Sequence, residues 1–522
     1  MNKVLKGLVA VAATAAMAVA GFAGASTAMA DTATGSIKVA EGDSHTYTVY
    51  QVFTGTYGSD GSLGDVKPGT DFNADNGAGD NGTNLTAAKA AEALAKIEST
   101  ESDQTKLAEI LKFANLTTQY GSDLTASAPL TNVPAGYYLA KDKDNTVTGN
   151  DAQTLYIVNV VGNSAVTITR KVDKPTFQKK VKDTNDSTGS TTNWQDSADY
   201  DVNDEVPFQL TATLPANEDD FAAYKTYKLV FTDNQSAGLT YPAADGFIVK
   251  YGDTVVPSTQ YTLTLNPTTT AADSTFTLTI NDVKSLKDVN GDAITVAAGG
   301  KFTVEYESTL NDKAVIGSTG NPNEAKLQYS NNPNYTGEGA NSPTGETPKD
   351  KVIVFTYQLN VNKTFDQGTP ADNDLPKFTL YKSYKSGEQE EWRKVGEEIT
   401  VTKTSNGTET KYTASFPRID DGNYKLVESH TPAGYNTAAD TLFTVTAEHD
   451  IEAVNPLLTS LKIDQTDGNT TNGTVQANVV NKKGSNLPST GGIGTVMLYV
   501  AGIAVFVLAG ATLVMALRRR NA

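Results

Sequence analysis

The chain has 522 residues, no cysteine and three histidines (His45, His430 and His449). Disulfide scaffolds, cysteine-ligated metals and cysteine nucleophiles are therefore excluded, and a histidine-based metal or catalytic centre is disfavoured, so no metal and no cofactor are expected. Lys and Arg number 42 against 60 Asp and Glu, a net charge of −18, which is the wrong sign for a phosphate-binding surface and argues against nucleic acid as a partner.

Residues 1–30 read as a secretory leader. Lys3 and Lys6 supply the positive start, an apolar run follows from Leu8 to about Ala23, and Ala28-Met29-Ala30 is a small-x-small cleavage site. The mature chain then begins near Asp31. Both apolar ends carry only basic charge, so the exported part is more acidic than the whole. That favours solubility outside the cell.

Most of the mature chain predicts strands. Runs such as His45–Phe53, Leu155–Val161, Val206–Leu214, Tyr227–Phe231, Tyr261–Leu265, Thr275–Ile280, Phe302–Tyr306 and Val352–Val361 are rich in Val, Thr, Tyr and Phe and are separated by Gly, Asn, Asp and Pro clusters. Many short strands with few helices point to an all-β fold of sandwiches. The exception lies in the first segment, 31–171. There Leu85–Glu98 and Gln104–Phe113 have the three- and four-residue apolar spacing of helices, with Asn84 or Thr86 as a cap. They read as a small helical insertion packed on a β-domain.

A second segment, 172–352, ends in a polar stretch, Ser330 to Lys351, that reads as a loop or linker. A third segment, 353–486, follows. Trp194 and the run Tyr200 to Phe208 read as core of the second. Asp288 to Asp292 and Asp142 to Asn145 have the spacing of calcium-loop fragments, but neither has the downstream glutamate, and both read as turns.

Leu487, Pro488, Ser489, Thr490 and Gly491 (residues 487–491) precede an apolar stretch at 493–517 that is long enough to span a bilayer, then a basic tail at 518–522 led by Arg518, Arg519 and Arg520. This order resembles the LPxTG sorting signal of Gram-positive surface proteins. The resemblance implies cleavage by a sortase between Thr490 and Gly491 and joining of Thr490 to an amine.

Further motifs resemble the sortase-assembled major pilins, fimbrial shaft subunits of Gram-positive bacteria. Tyr424 to Tyr435, containing Glu428, looks like the E-box of pilins and CnaB-type domains. Lys363, in Val361-Asn362-Lys363, looks like the first-strand lysine of such domains, and Asn481 looks like the last-strand asparagine. In that family the lysine amine attacks the asparagine amide, ammonia leaves and an isopeptide bond remains. The lysine must be desolvated to become a nucleophile, and a neighbouring carboxyl group, favoured in its neutral form by the same apolar site, relays protons. The second segment resembles a CnaA-like middle domain, with Lys179 (or Lys180, depending on strand register), Asp233 in place of the glutamate, and Asn323. A bond from Lys179 to Asn323 closes a loop of roughly 145 residues, for which chain entropy gives about 5 kcal/mol. Tyr47 to Phe53 and Pro134 to Leu139 look like the pilin N-terminal domain, in which no isopeptide triad is assigned.

The resemblance implies tandem immunoglobulin-like sandwiches of CnaA and CnaB type and a structural rather than enzymatic role. No G-x-S-x-G or Ser/His/Asp pattern is present in the sequence. The expected role is the backbone of a covalent surface pilus that supports adhesion. A pilus-specific (class C) sortase would join Thr490 of one copy to Lys171 of the next, with Lys174 as the alternative. A housekeeping sortase would fix the fibre to peptidoglycan, and accessory pilins would join it. The Tyr-Pro-Lys-Asn that carries the family's linking lysine is missing from Val166–Pro175. A monomeric wall-anchored adhesin built from the same domains is the alternative.

Overall fold

The computed structural model describes residues 9–10, 34–57, 63–73, 86–90, 109–143, 155–160, 165–168 and 173–484, apart from gaps at 267–273, 334, 336, 388 and 408. Almost all of these residues lie in strands, turns and loops, and four apolar clusters fill the interior. The candidate membrane span, the sorting signal and Lys171 lie outside the described residues. Among the described residues, no helix is long and apolar enough to cross a membrane.

In the first segment, Tyr47–Tyr57 pairs with Leu63–Pro68 and Gly136–Asp142, and Gly35–Val39 joins Leu130–Val133 and Ala165–Ile168 in a second sheet. Val9–Ala10, inside the expected leader, lies parallel to Ile157–Val158. Helical turns are described at 87–90 and 109–111. Thr86 caps the first, its Oγ1 accepting from Lys89 N at 3.3 Å. Ala87, Ala90, Ile110 and Phe113 pack against Tyr50, Val52, Phe53 and Leu139, so the insertion shares the core of the sheet. Asp142 ends a strand, and its carboxylate sits 2.7 Å from the buried His45 Nδ1; Asn145 lies outside the described residues.

The middle segment is a two-sheet sandwich. One sheet carries Thr176–Val181, Glu205–Thr213 and Lys301–Leu310; the other carries Leu229–Gln235, Ser274–Ile280, Asn321–Ser330 and Asp350–Phe355. Alternation is strict along Glu205–Thr213 and Lys301–Leu310, where every second residue is buried. Such alternation is what a sheet with one solvated face requires.

Three expectations change here. Val352–Val361 is two strands, Asp350–Phe355 and Tyr357–Phe365, because the chain crosses from one sandwich to the next at Thr356. Thr356 is fully buried there, its hydroxyl donating to the Ile419 carbonyl. An apolar run that continues across a break gives no sign of the break. The expected 352/353 division thus falls inside a strand of the middle sheet. Second, Ser330 to Lys351 folds onto the middle sandwich: Thr344–Glu346 pairs with Gln328–Ser330, and Ser330 and Ser342 hydrogen-bond in the interior. Third, Trp194 is only half-buried, with the Lys182 ammonium 4.7 Å over its ring, whereas Tyr200, Val206 and Phe208 do enter the core.

The C-terminal segment is a second sandwich. Tyr357–Phe365 lies between Thr410–Ile419 and, in parallel, Thr474–Asn481; the facing sheet holds Lys377–Ser386, Gly422–His430, Thr441–His449 and Leu458–Ile463. Its junction with the middle sandwich is close. Gly317 and Gly473 both have positive φ, and a Cβ on Gly473 would fall 2.5 Å from the Gly317 backbone.

Candidate functional site

Among the described residues, Lys179, Lys363 and Lys382 are the buried lysines. A lysine is almost never buried without a partner, so each marks a built environment. Two of them are the lysines singled out in the sequence.

Lys179 lies on Thr176–Val181, where residues 179 and 181 face inward and 180 faces outward. Lys180 instead pairs with Asp196 at 2.6 Å near the junction. Asp233 sits on the facing sheet beside Asn321–Ser330, which carries Asn323, and all three side chains are fully buried. Lys179 Nζ donates to Asp233 Oδ2 and, at 2.9 Å, to the Tyr306 hydroxyl. The same hydroxyl accepts from Asn323 Nδ2 at 2.9 Å, so Tyr306 bridges amine and amide. Tyr241 donates to Asp233 Oδ1 at 2.7 Å. The amine also lies 5.0 Å from the Phe208 ring centre. Burial lowers the Lys179 pKa, overriding the attraction of Asp233. Burial also holds the Tyr306 phenol well above its usual range. Asn323 Oδ1 is buried without a partner.

The second cluster is arranged differently. Lys363 and Asn481 occupy neighbouring parallel strands of one sheet, and Glu428 reaches in from the facing sheet. Lys363 Nζ is 3.2 Å from Glu428 Oε1. Asn481 Nδ2 donates to Glu428 Oε2 and to the Asn436 carbonyl, both at 2.8 Å. Glu428 Oε2 also accepts from Ala438 N at 2.7 Å. Desolvation lowers the Lys363 pKa against the pull of Glu428. Asn481 Oδ1 again lacks a partner.

Both sites therefore hold a desolvated amine, a carboxylate within reach of it, and an amide whose NH₂ is fixed and whose carbonyl oxygen is unpaired. That set can transfer an acyl group from nitrogen to nitrogen. Sequence reasoning missed the contacts of Tyr306 and Tyr241: nothing in an alternating strand distinguishes an aromatic that fills space from one that also binds, and Tyr241 lies in a loop just past the short strand Leu239–Thr240.

Lys382 was not singled out either. Its ammonium contacts Asp420 and lies 2.8 Å from Asp201 and 2.9 Å from Asp186, at the junction of the two sandwiches. Although burial opposes the charge, the surrounding Tyr424 and Asp420, Asp201 and Asp186 raise its pKa well above the ordinary value. It is thus a locked cation, unlike the other two. His430 is exposed and paired with Asp374 at 2.7 Å. Lys174 lies half-buried just before Thr176–Val181. Asp288 accepts from the backbone N–H groups of Asn290 and Asp292, which makes 288–292 a turn.

Three family models match this chain. Residues 202–333 match the Gram-positive pilin backbone subunit 2, Cna-B-like domain; residues 359–456 match a prealbumin-like fold domain; residues 479–522 match the LPXTG cell wall anchor motif. The middle match is described as Cna-B-like, where the sequence motifs resembled the CnaA type. The trypsin-resistant surface T6 protein of Streptococcus pyogenes serotype M6 is 29% identical over 146 residues, 26% of this chain and 24% of that protein. Among solved structures, the T6 backbone pilin of serotype M6 Streptococcus pyogenes is similar over 88% of this chain and 100% of its own, at 17% identity and TM-score 0.48. The Corynebacterium diphtheriae major pilin SpaA is similar over 86% and 100%, at 13% identity and TM-score 0.42.

Proposed function

We propose that this chain, a Gram-positive backbone pilin with an LPXTG wall anchor, is the repeating unit of a covalently polymerised surface pilus whose sandwiches are locked by Lys179–Asn323 and Lys363–Asn481 isopeptide bonds. The observation that carries the reading is the pair of clusters in which a buried amine, a carboxylate and a fixed carboxamide meet. The domains are taken as 31–171, 172–352 and 353–486; the passage from Asp350–Phe355 to Tyr357–Phe365 at Thr356 supports a division between the last two a few residues after 352.

The chemistry follows from the surroundings. Inside a low-dielectric core an ammonium–carboxylate pair is costly unless the proton passes to the carboxylate, leaving a neutral amine and a carboxyl group. The amine nitrogen of Lys363 attacks Cγ of Asn481. Glu428, already bound to the amide nitrogen, delivers a proton there, and the Cγ–Nδ2 bond breaks. The proton shed by the amine returns to the carboxylate, so one C–N bond replaces another and one ammonia leaves. In the middle sandwich Asp233 has the same role toward Lys179. Tyr306 holds amine and amide together and Tyr241 fixes the carboxylate.

Polymerisation uses the termini. A class C sortase forms a thioester with Thr490 and releases Gly491 with the tail. The amine of Lys171, with Lys174 as the rival, attacks the thioester and the sortase thiol leaves. Repetition is a head-to-tail contact that does not close. A housekeeping sortase transfers the last Thr490 to peptidoglycan, accessory pilins join the fibre, and the fibre supports adhesion. The test is a denaturing gel of wall extracts from cells that carry the partner sortase. A ladder of masses that vanishes in Lys171→Ala supports this reading. Monomer alone favours the wall-anchored adhesin, and a ladder that persists in Lys171→Ala moves the link to Lys174 or another lysine.

A further inference from the structure

The junction of the two sandwiches holds a group of side chains that the cross-linking chemistry does not use. Asp183 and Asp199 come from the middle sandwich and His449 from the C-terminal one, and one oxygen or nitrogen of each lies within 4.8 Å of the others. His449 Nε2 stands 3.4 Å from Asp183 Oδ2 and 3.9 Å from Asp199 Oδ1. A charged N–H···O bond is shorter, about 2.7–2.9 Å. Two ligands sharing a tetrahedral cation at about 2.0–2.1 Å stand about 3.4 Å apart, which is the His449–Asp183 spacing, while Asp199 Oδ1 stands somewhat farther off.

The other imidazole nitrogen is already committed. Nδ1 is 2.7 Å from Ser197 Oγ, which in turn is 2.5 Å from the Asp450 carbonyl oxygen. A carbonyl only accepts, so the hydroxyl donates to it and takes the Nδ1–H. A ring tied through Nδ1–H in this way offers Nε2 to a metal, as ligating histidines do. The same geometry rules Ser197 out as a nucleophile, since it is fully buried and its hydrogen is spent on Asp450.

One member of the group carries an orphaned atom. Asp199 is 3% exposed, and its Oδ2 has no hydrogen-bond partner. A buried polar atom of this kind calls for a missing partner. The fully buried Tyr357 hydroxyl lies against the same carboxylate.

We propose that Asp183, Asp199 and His449 form a site for a divalent transition metal, of the zinc or manganese class that imidazole and carboxylate share, bridging the two sandwiches. The site needs both sandwiches, so the ion would act as a clasp across the junction, separate from the covalent bonds inside each. The sequence could not show it: its members lie at positions 183, 199 and 449 and share no motif.

The test uses the exported protein after leader and anchor removal, stripped with EDTA and titrated calorimetrically with ZnCl₂ and, separately, MnCl₂. One ion per chain is expected, with a thermal midpoint that rises on loading and falls back with EDTA. Asp199→Asn and His449→Gln should weaken binding at least tenfold, while Asp204→Asn, outside the group, should not. Intact mass of each variant reports whether its sandwiches have folded and cross-linked. No binding of either ion at millimolar concentration, or binding unchanged in cross-linked Asp199→Asn, would overturn the proposal and leave a histidine–aspartate ion pair.

Discussion

Lys363 and Asn481 stand on adjacent parallel strands yet are not register partners: Lys363 pairs with Val479, and Asn481 pairs with Phe365. A two-residue offset keeps both side chains on the same face of the sheet. The slant of parallel ladders then brings the tip of one toward the tip of the other, under Glu428 of the opposing sheet. Because these strands are the first and last of the sandwich, a bond between them carries tension past the hydrogen-bond ladder.

Replacing the acid should leave the sandwich folded but unlinked. Glu428→Gln is expected to retain the full unlinked mass of the C-terminal site and to lose about 5 kcal/mol, the loop-closure value for a loop of this size. Calorimetry and trypsin digestion read the loss. A Glu428→Gln protein that still sheds ammonia at Asn481 would remove the carboxyl group from the chemistry.

Tyr306→Phe removes the one hydroxyl that accepts from both Lys179 and Asn323. The ring and its contacts with Phe208 and Phe276 remain. Formation of the middle bond should slow by about 100-fold, while the Lys363–Asn481 bond keeps its rate. Mass taken at intervals after refolding separates the two, and equal rates in both proteins would reduce Tyr306 to packing.

Lys382→Met strips the cation from Asp186, Asp201 and Asp420. Leaving buried carboxylates uncompensated typically costs about 3–5 kcal/mol. The loss should appear as separate unfolding of the two sandwiches in calorimetry and as early proteolysis near Thr356. A single unchanged transition would contradict the importance given to this cluster.

Asp204 faces the same network. Burial first, then repulsion from Asp201 and Asp186, raise its pKa to about 7 against the attraction of Lys382. The folded state therefore binds this proton more tightly than the unfolded chain, and its contribution to stability falls as pH rises from about 4 to about 7. The thermal midpoint should drop across that window, and Asp204→Asn, which stays neutral throughout, should flatten the drop. An equal slope in both proteins contradicts the assignment.

What could be read from the sequence follows from how local each signal is. Glu428 and its flanking Pro432-Ala433-Gly434-Tyr435 form a contiguous motif, and Lys363 and Asn481 lie on strands with clear alternation. The choice between Lys179 and Lys180 needed the register of one strand, which its neighbours Leu210 and Gln209 fix. The Lys382 and His449 groups draw on residues up to 266 positions apart, brought together only by the docking of two sandwiches. A tryptophan in a strand-rich segment looks like core, whereas Trp194 is only half-buried, with the Lys182 ammonium over its ring.

Each proposed cross-link removes one ammonia from the chain, and intact mass reads that loss without intermediaries. The exported protein should weigh two ammonia less than its sequence, with one linked peptide pair joining Lys179 to Asn323 and another joining Lys363 to Asn481. A folded protein at full sequence mass, with all four residues recovered in unlinked peptides, would contradict it.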